Sequence, residues 1–386
     1  MRYRALRSLV LLSVVMLVSG LTACQSQHDG ESGDSLEDIT LSKASVLPPD
    51  LDVLGSGQAW ELPSGRSVAG SGARQVGHYL LMPVDADHVQ ATQTWVMDMK
   101  TGATRRYASI DEGWIENMAI GAGDWMLRSE VMDPSSGGCT GADEDGCYSW
   151  RLYAQPLDST TPRLLAESQK PGRRASVPSL VTDGRQIGWQ QGDASGRYPI
   201  YRWEPGARTA DVVAERDQPG ALEFTDDGRL FVLETAPGAE VTDTVYLKSL
   251  TQIRLPGPKQ IAPVTTFLGL MYYDVIGQTV TYFPQAGDGH GNWLTVPLGS
   301  KAGTGRQGEL INPGIDGPYA AAWITDTKLL SSSATGTTVY DLKDPALTVT
   351  SESTDLTTAR VSNGSVVIGY QPPDDGPALV YVKKYD

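Results

Sequence analysis

The sequence predicts an all-β chain folded as a β-propeller of seven blades. Three observations point there. Short β-rich runs fill the chain after Trp60, a tight turn recurs at a near-constant interval, and a spare strand near the start matches a strand missing from the end. From Trp60 onward no window keeps apolar residues at i, i+3, i+4 and i+7 for three turns, so no long amphipathic helix is expected. Runs such as HYLLMPV, TWVMDM, RLFVLET, TVTYF and SVVIGY are each bounded by Gly, Pro, Asn or Asp, which is how strands end in turns. The 42 glycines and 24 prolines among 386 residues suit a chain that turns often.

The recurring turn can be aligned seven times. Its last residues are Gly77, Gly123, Gly184, Gly228, Gly277, Asp326 and Gly364, spaced 46, 61, 44, 49, 49 and 38 apart. Glycine or aspartate fits there because tight hairpin turns need positive φ. A period of this size, with a strong apolar strand after each turn and two further strands behind it, is the signature of propeller blades. Stacked β-sandwiches also show short alternating strands, but they do not require a turn at a fixed interval. The chain ends on LVYVKKYD, the third strand of its last unit, while QAWELPSG near the start has no unit of its own. Pairing the two would close the ring and cover an otherwise bare sheet edge. Six or eight blades remain as alternatives, because the fifth and sixth units are hard to phase.

Units such as PSLVTDGRQIGW and LEFTDDGRLFVLE resemble TolB-like and WD40-like propeller repeats over roughly residues 58–386. The tryptophan–aspartate dipeptide of true WD40 repeats and the glycine pairs of kelch repeats are missing. The resemblance therefore implies the architecture and not a subfamily.

The first residues carry an address. Arg2, Arg4 and Arg7 precede the apolar run LVLLSVVMLV, which is shorter than the roughly 20 residues a membrane span needs. Leu21, Thr22, Ala23 and Cys24 follow. This LTAC segment resembles the lipobox of bacterial lipoproteins, which implies diacylglycerol on the Cys24 sulfur, cleavage before it and acylation of the new amino terminus. An uncleaved anchor or an ordinary secretory signal is the alternative, and each exports the chain. Two or three acyl chains would hold the protein stably at the extracytoplasmic side of a bacterial membrane. The implied division is a signal peptide at residues 1–23, a lipidated cysteine with a polar, disordered tether at 24–44, and a propeller at 45–386.

Formal charge is −15 and becomes −18 once the three arginines of the leader are removed. A polyanion without a basic cluster is not built for nucleic acid or anionic headgroups. Cys139 and Cys147 lie in GGCTGADEDGCYSW, and export to an oxidising compartment predicts that they pair. Zinc would need further ligands, and no histidine lies nearby.

In a propeller the loops between second and third strands share one face. Those loops are the long ones here, and they gather acids: Asp85, Asp87, Asp143, Glu144, Asp145, Asp193, Asp288, Asp374 and Asp375, with His290 beside Asp288 and Arg197 as the lone base. Variable loops on a rigid scaffold are the usual place for a binding site. This face would attract a cationic ligand, a basic protein patch or Ca²⁺, or would simply serve solubility. GADEDG does not alternate acids with spacers or end in a bidentate glutamate, so no cofactor is expected, with calcium as the low-ranked exception. His290 beside Asp288 has the makings of a general base, but in a glycine-rich tip it reads first as an exposed side chain. No G-x-S-x-G elbow and no phosphate-binding glycine loop is present. A carboxylate-pair glycosidase needs only two acids, and nothing in the sequence selects a pair. The tryptophans of the second and third strands read as packing between blades.

The resulting expectation is a lipid-anchored, non-catalytic propeller that binds a protein or envelope component. The alternative is a secreted propeller enzyme, a hydrolase or lyase acting on glycans or lactones with or without calcium. The lipobox has a direct check. Cells fed a clickable fatty acid should label the wild-type protein and leave Cys24→Ala unlabelled and uncleaved, as read by gel fluorescence and intact mass.

Overall fold

The computed structural model describes residues 39–68, 72–86, 89–106, 110–111, 113–132, 149–159, 161–168, 177–193, 195–217, 220–224, 228–235, 245–249, 265–267, 270–276, 279–284, 293–297, 309–311, 318–333, 336–353, 355–362, 364–373 and 376–385. The expected leader, Cys24 and the tether up to residue 38 lie outside them. The chain is all-β in a β-propeller arrangement, with seven antiparallel sheets among the described residues.

The sheets follow one another along the chain; the second to sixth are four-stranded meanders, the first carries two further strands and the seventh borrows one. In the second, Trp114–Ala122, Trp125–Met132, Trp150–Pro156 and Arg163–Glu167 pair in order. The third runs Ser179–Thr182, Ile187–Gln190, Tyr198–Trp203, Asp211–Arg216. The fourth starts at Ala221–Phe224, the fifth at Leu270–Ile276 and the sixth at Pro318–Thr325. The first strand of each sheet neighbours the first strand of the next, and that of the seventh, Leu356–Ser362, returns to Arg74–Val76 of the first. The turns between first and second strands contain the glycines expected. Gly77, Gly123, Gly184, Gly228 and Gly364 have φ between 56° and 81°, a region that costs a side-chain-bearing residue energy. Gly277 lies outside the described residues, and Asp326 occupies a turn.

The seventh sheet is completed from the other end of the chain. Gln58–Glu61 pairs with Leu379–Lys384, with Gln58 opposite Val382 and Glu61 opposite Leu379. Three further hydrogen bonds reinforce this seam. The Tyr381 hydroxyl donates to the Gly55 carbonyl at 2.7 Å, and Lys383 Nζ and the Tyr385 hydroxyl donate to that of Leu54 at 2.8 and 3.2 Å. Those carbonyls follow a one-turn helix, Pro49–Asp52, and would otherwise lack partners. Burial raises the Tyr385 hydroxyl to about 12, so it keeps its proton, and with it this bond, at neutral pH.

No single central core holds the molecule together. Apolar layers lie between neighbouring sheets. One joins the first and seventh around Trp60, Met82, Trp95 and Val380, another joins the second and third around Leu127, Leu152, Trp189 and Trp203. Both faces of a blade are buried, so its strands carry apolar residues on both sides, as in Ser365–Tyr370, which is buried throughout. The tryptophans behave as packing groups. Trp125 meets Trp203 edge-on at 5.8 Å, and Trp189 stacks on Tyr201 at 5.2 Å.

Two expectations need correction. The tether does not run to residue 44. Ile39–Thr40 pairs with Ala103–Arg106, Leu41 is buried, and Ala44 donates to the Ala59 carbonyl at 2.9 Å. This short segment gains order because the outer edge of the first sheet offers free hydrogen-bonding groups and a place for Ile39 and Leu41. Residues 85–93, expected as a loop, are largely strand: Asp85 is opposite Thr92 in the hairpin of Tyr79–Ala86 with Val89–Asp98. Asp85 also faces Ser67 of Arg66–Val68, a strand that the spacing of turns did not reveal.

Trp60 is 1% exposed and joins the two ends of the chain. Trp60→Ala should cost about 3–5 kcal/mol, as large-to-small changes in cores do, and equilibrium urea unfolding checks it.

Candidate functional site

The best-defined polar site among the described residues lies between the first and second sheets, toward the face of the long loops. Strand alternation builds it. In Trp125–Met132 the residues Met126, Arg128 and Glu130 share one side, and Met126 packs against the first sheet through Leu81 and Val96. Glu116 lies opposite Glu130 on the first strand, and Arg151 lies opposite it on the third. Tyr153 is opposite Arg128. A row of charge therefore crosses the sheet inside a blade interface, where an unpaired ion would cost several kcal/mol.

Two ion pairs and a neutral donor meet most of this charge. Glu116 accepts from the Thr94 amide at 3.1 Å and from the Thr94 hydroxyl, across the gap to the first sheet. Arg128 Nη2 meets Glu130 Oε1 at 2.6 Å, and its guanidinium lies 5.6 Å from the Tyr153 ring. Arg151 meets Asp111 at 2.6 Å and stacks on Trp114 at 3.9 Å. Arg128 Nε and Nη1 have no partner among the described residues. Burial pushes the Glu116 carboxyl up, against the pull of the Thr94 hydrogen bonds and Arg128. Glu130 is pushed up for the same reason, with Arg128 opposing.

This row ends where the chain leaves and re-enters the second sheet. Met132 donates to the Ser149 carbonyl at 2.9 Å, closing the stem of residues 133–148, and Trp150 donates to Ser168 at 3.0 Å. The arrangement therefore fixes the base of the longest insertion. Glu116 and Glu130 are 8% and 2% exposed, whereas a general acid must reach its substrate directly or through one water. The pair is placed to hold strands rather than to transfer protons to a bound molecule.

A second charged group lines the first strands. Arg74 of the first sheet is lowered to about 10, chiefly by burial, with Arg360 of the seventh sheet adding to the shift and Glu223 of the fourth opposing it. The Arg360 side chain runs over Gly72, where any larger residue would collide with it.

The acidic residues singled out from sequence fall into two groups. Asp87, Asp143, Glu144, Asp145, Asp288, His290, Asp374 and Asp375 lie outside the described residues, as do Cys139 and Cys147. Asp193 is exposed at the loop between the second and third strands of its sheet. Its Oδ1 accepts from Ser195 Oγ at 2.6 Å and from the amides of Ser195 and Arg197 at 2.8 and 3.0 Å. Those bonds, led by the Ser195 hydroxyl, hold its carboxyl below the usual range. Arg197, the lone base of the face, is shared between Glu215 at 3.2 Å and Asp217 at 3.9 Å. Asp85, in a strand, is not in a loop at all. Among the described residues no three Asp, Glu, His or Cys side chains converge closely enough to hold a metal ion.

Glu116, Arg128, Glu130 and Arg151 were absent from the acidic-face reading. Their signal was present: charges in mid-strand, as in WMLRSEVM, must be buried when both faces of a blade are covered.

No family model matches the chain, and no curated protein matches it in sequence. Solved structures do. An oligogalacturonate lyase in complex with manganese is 12% identical, with a TM-score of 0.56 over 91% of this chain and 98% of that one. The β-propeller domain of the Trilobed protease from Pyrococcus furiosus, described as having an open velcro topology, is 11% identical with a TM-score of 0.53, over 83% and 98% of the two chains. A prolyl endopeptidase is 14% identical with a TM-score of 0.53, and this chain spans 50% of its length. At such identities the likeness concerns the fold: the chain is a β-propeller protein. Unlike an open ring, its last sheet includes a strand from the start of the chain.

The buried acids set a pH dependence. Glu116 is favoured in its protonated form in the folded state, relative to an ordinary value of 4.5. Its contribution is complete below that value and is lost as pH rises toward the higher folded one. In urea unfolding at about pH 5 and about pH 7.5, the wild type should lose more stability than Glu116→Gln, which carries no titrating proton.

Proposed function

We propose that the protein is a lipid-anchored, extracytoplasmic β-propeller whose seven sheets are the seven blades of one closed ring, and that it binds a protein or envelope component through its long-loop face without catalysing a reaction. The anchor reading rests on the LTAC segment ending at Cys24 and the short apolar run before it. The seven-blade reading rests on the seven sheets and on the succession of first strands that returns to its start.

One observation carries the binding reading. Met132 donates to the Ser149 carbonyl across the two ends of residues 133–148, on strands that the charged row from Glu116 to Arg151 crosses. A rigid stem lowers the entropy lost when a loop is ordered against a partner. The segment held there carries Asp143, Glu144 and Asp145 and the Cys139–Cys147 pair, and the proposed disulfide shortens it further. Acids displayed on such a base suit a basic patch on the partner, with attraction that speeds encounter.

The test replaces Asp143, Glu144 and Asp145 with asparagine, glutamine and asparagine and repeats crosslinking and affinity capture from intact cells. The expected outcome is loss of the main crosslinked partner at unchanged protein abundance. An unchanged set of partners would overturn the role given to this segment.

A further inference from the structure

A cleft of about 420 Å³ opens on the face opposite the long loops, at the seam where the two ends of the chain meet. Its walls come from the strand Gln58–Glu61, the strand Leu379–Lys384, and Met99 in the turn after Val89–Asp98. The volume falls in the range of small-molecule sites.

The chemistry of the lining is unlike that of the rest of the molecule. In a chain of charge −15 the cleft is lined by Lys383 and Lys384 and by no acid. A third lysine lies close: Lys43 Nζ is 5.7 Å from the Trp60 ring and donates to Gln58 Oε1 at 3.2 Å. Lys383 is held in place by the Leu54 carbonyl at 2.8 Å, and Lys384 is exposed. Trp60, Met99 and Val382 supply apolar wall beside these cations. The Trp60 indole is 1% exposed, and its Nε1–H has no hydrogen-bond partner among the described residues. That nitrogen is closed to solvent, so the indole bounds the cleft as apolar wall and offers a ligand no donor. Gly57, in the wall of the cleft, has no room for a side chain, which would meet the Tyr381 ring.

We propose that this cleft is a binding site for a small organic anion, a phosphate or carboxylate group flanked by an apolar or aromatic portion. The anionic head is held by Lys384, on the same side of its strand as Val382, with Lys43 close by over the Trp60 ring, and the apolar portion lies against Met99 and Val382. Such a ligand touches both ends of the chain, so its binding also tightens the closure of the ring.

The purified full-length protein in detergent is titrated calorimetrically with phenyl phosphate, benzoate, inorganic phosphate and benzylammonium. Saturable one-site binding of phenyl phosphate or benzoate, and none of benzylammonium, is expected. The tighter of the two aromatic anions assigns the head group. Lys384→Glu should weaken that binding by about tenfold or more, the range for a hydrogen bond to a charged group. Far-UV circular dichroism and Tm check that the variant is folded. Absence of saturable anion binding, equal binding of benzylammonium, or an affinity unchanged in Lys384→Glu would overturn the proposal.

Discussion

The antiparallel pairing of Gln58–Glu61 with Leu379–Lys384 is the constraint on which the rest of the structure depends. A propeller has no core of its own in any blade. Each sheet buries both faces against neighbours, so the first and seventh sheets would each show an apolar face to water if they were not brought together. Trp60, Leu80, Met82 and Val380 form that junction. The seam is also the most demanding contact to make, because residues more than 300 positions apart must meet before the layer between them forms. Hydrogen bonds from Tyr381, Lys383 and Tyr385 to the end of a one-turn helix add a second grip beyond the strand pairing.

The second sheet shows how a fold with apolar interfaces accommodates charge. Glu116, Arg128, Glu130 and Arg151 are packed between blades, which is costly unless every charge has a counterpart. The counterparts come from three strands of one sheet and from Thr94 of the next. Such a row contributes less to stability than apolar residues of equal size would, but its geometry is specific. Through Thr94 and Glu116 it registers the first sheet against the second.

The recurring turns and the closing strand were legible in the sequence because both are local patterns: glycine at a fixed interval, and a strand left over at each end. Gly77, Gly123, Gly184, Gly228 and Gly364 all take the backbone conformation that their spacing implied. Ile39–Thr40 and Arg66–Val68 were not legible, since two or three residues carry no alternation to recognise. The hairpin through Asp85 was missed because its polar tip, VDADHVQAT, reads as loop while its backbone continues the ladder. The charged row was hidden for another reason. The partner of Glu116 is Thr94, 22 residues away in a different sheet, and no pattern within one strand announces it. Asp193 shows the converse: an acid conspicuous in the sequence whose Oδ1 accepts bonds from its own turn.

Because the strand at Gln58–Glu61 lies beside the one that ends at Lys384, two segments more than 300 residues apart along the chain are spatial neighbours. Covalent order and spatial order are thus separable. A gene that carried Gln58–Glu61 after Lys384, joined by a turn, would encode the same ladder as a hairpin. The order in which the polypeptide supplies those two strands is free, whereas their meeting is not.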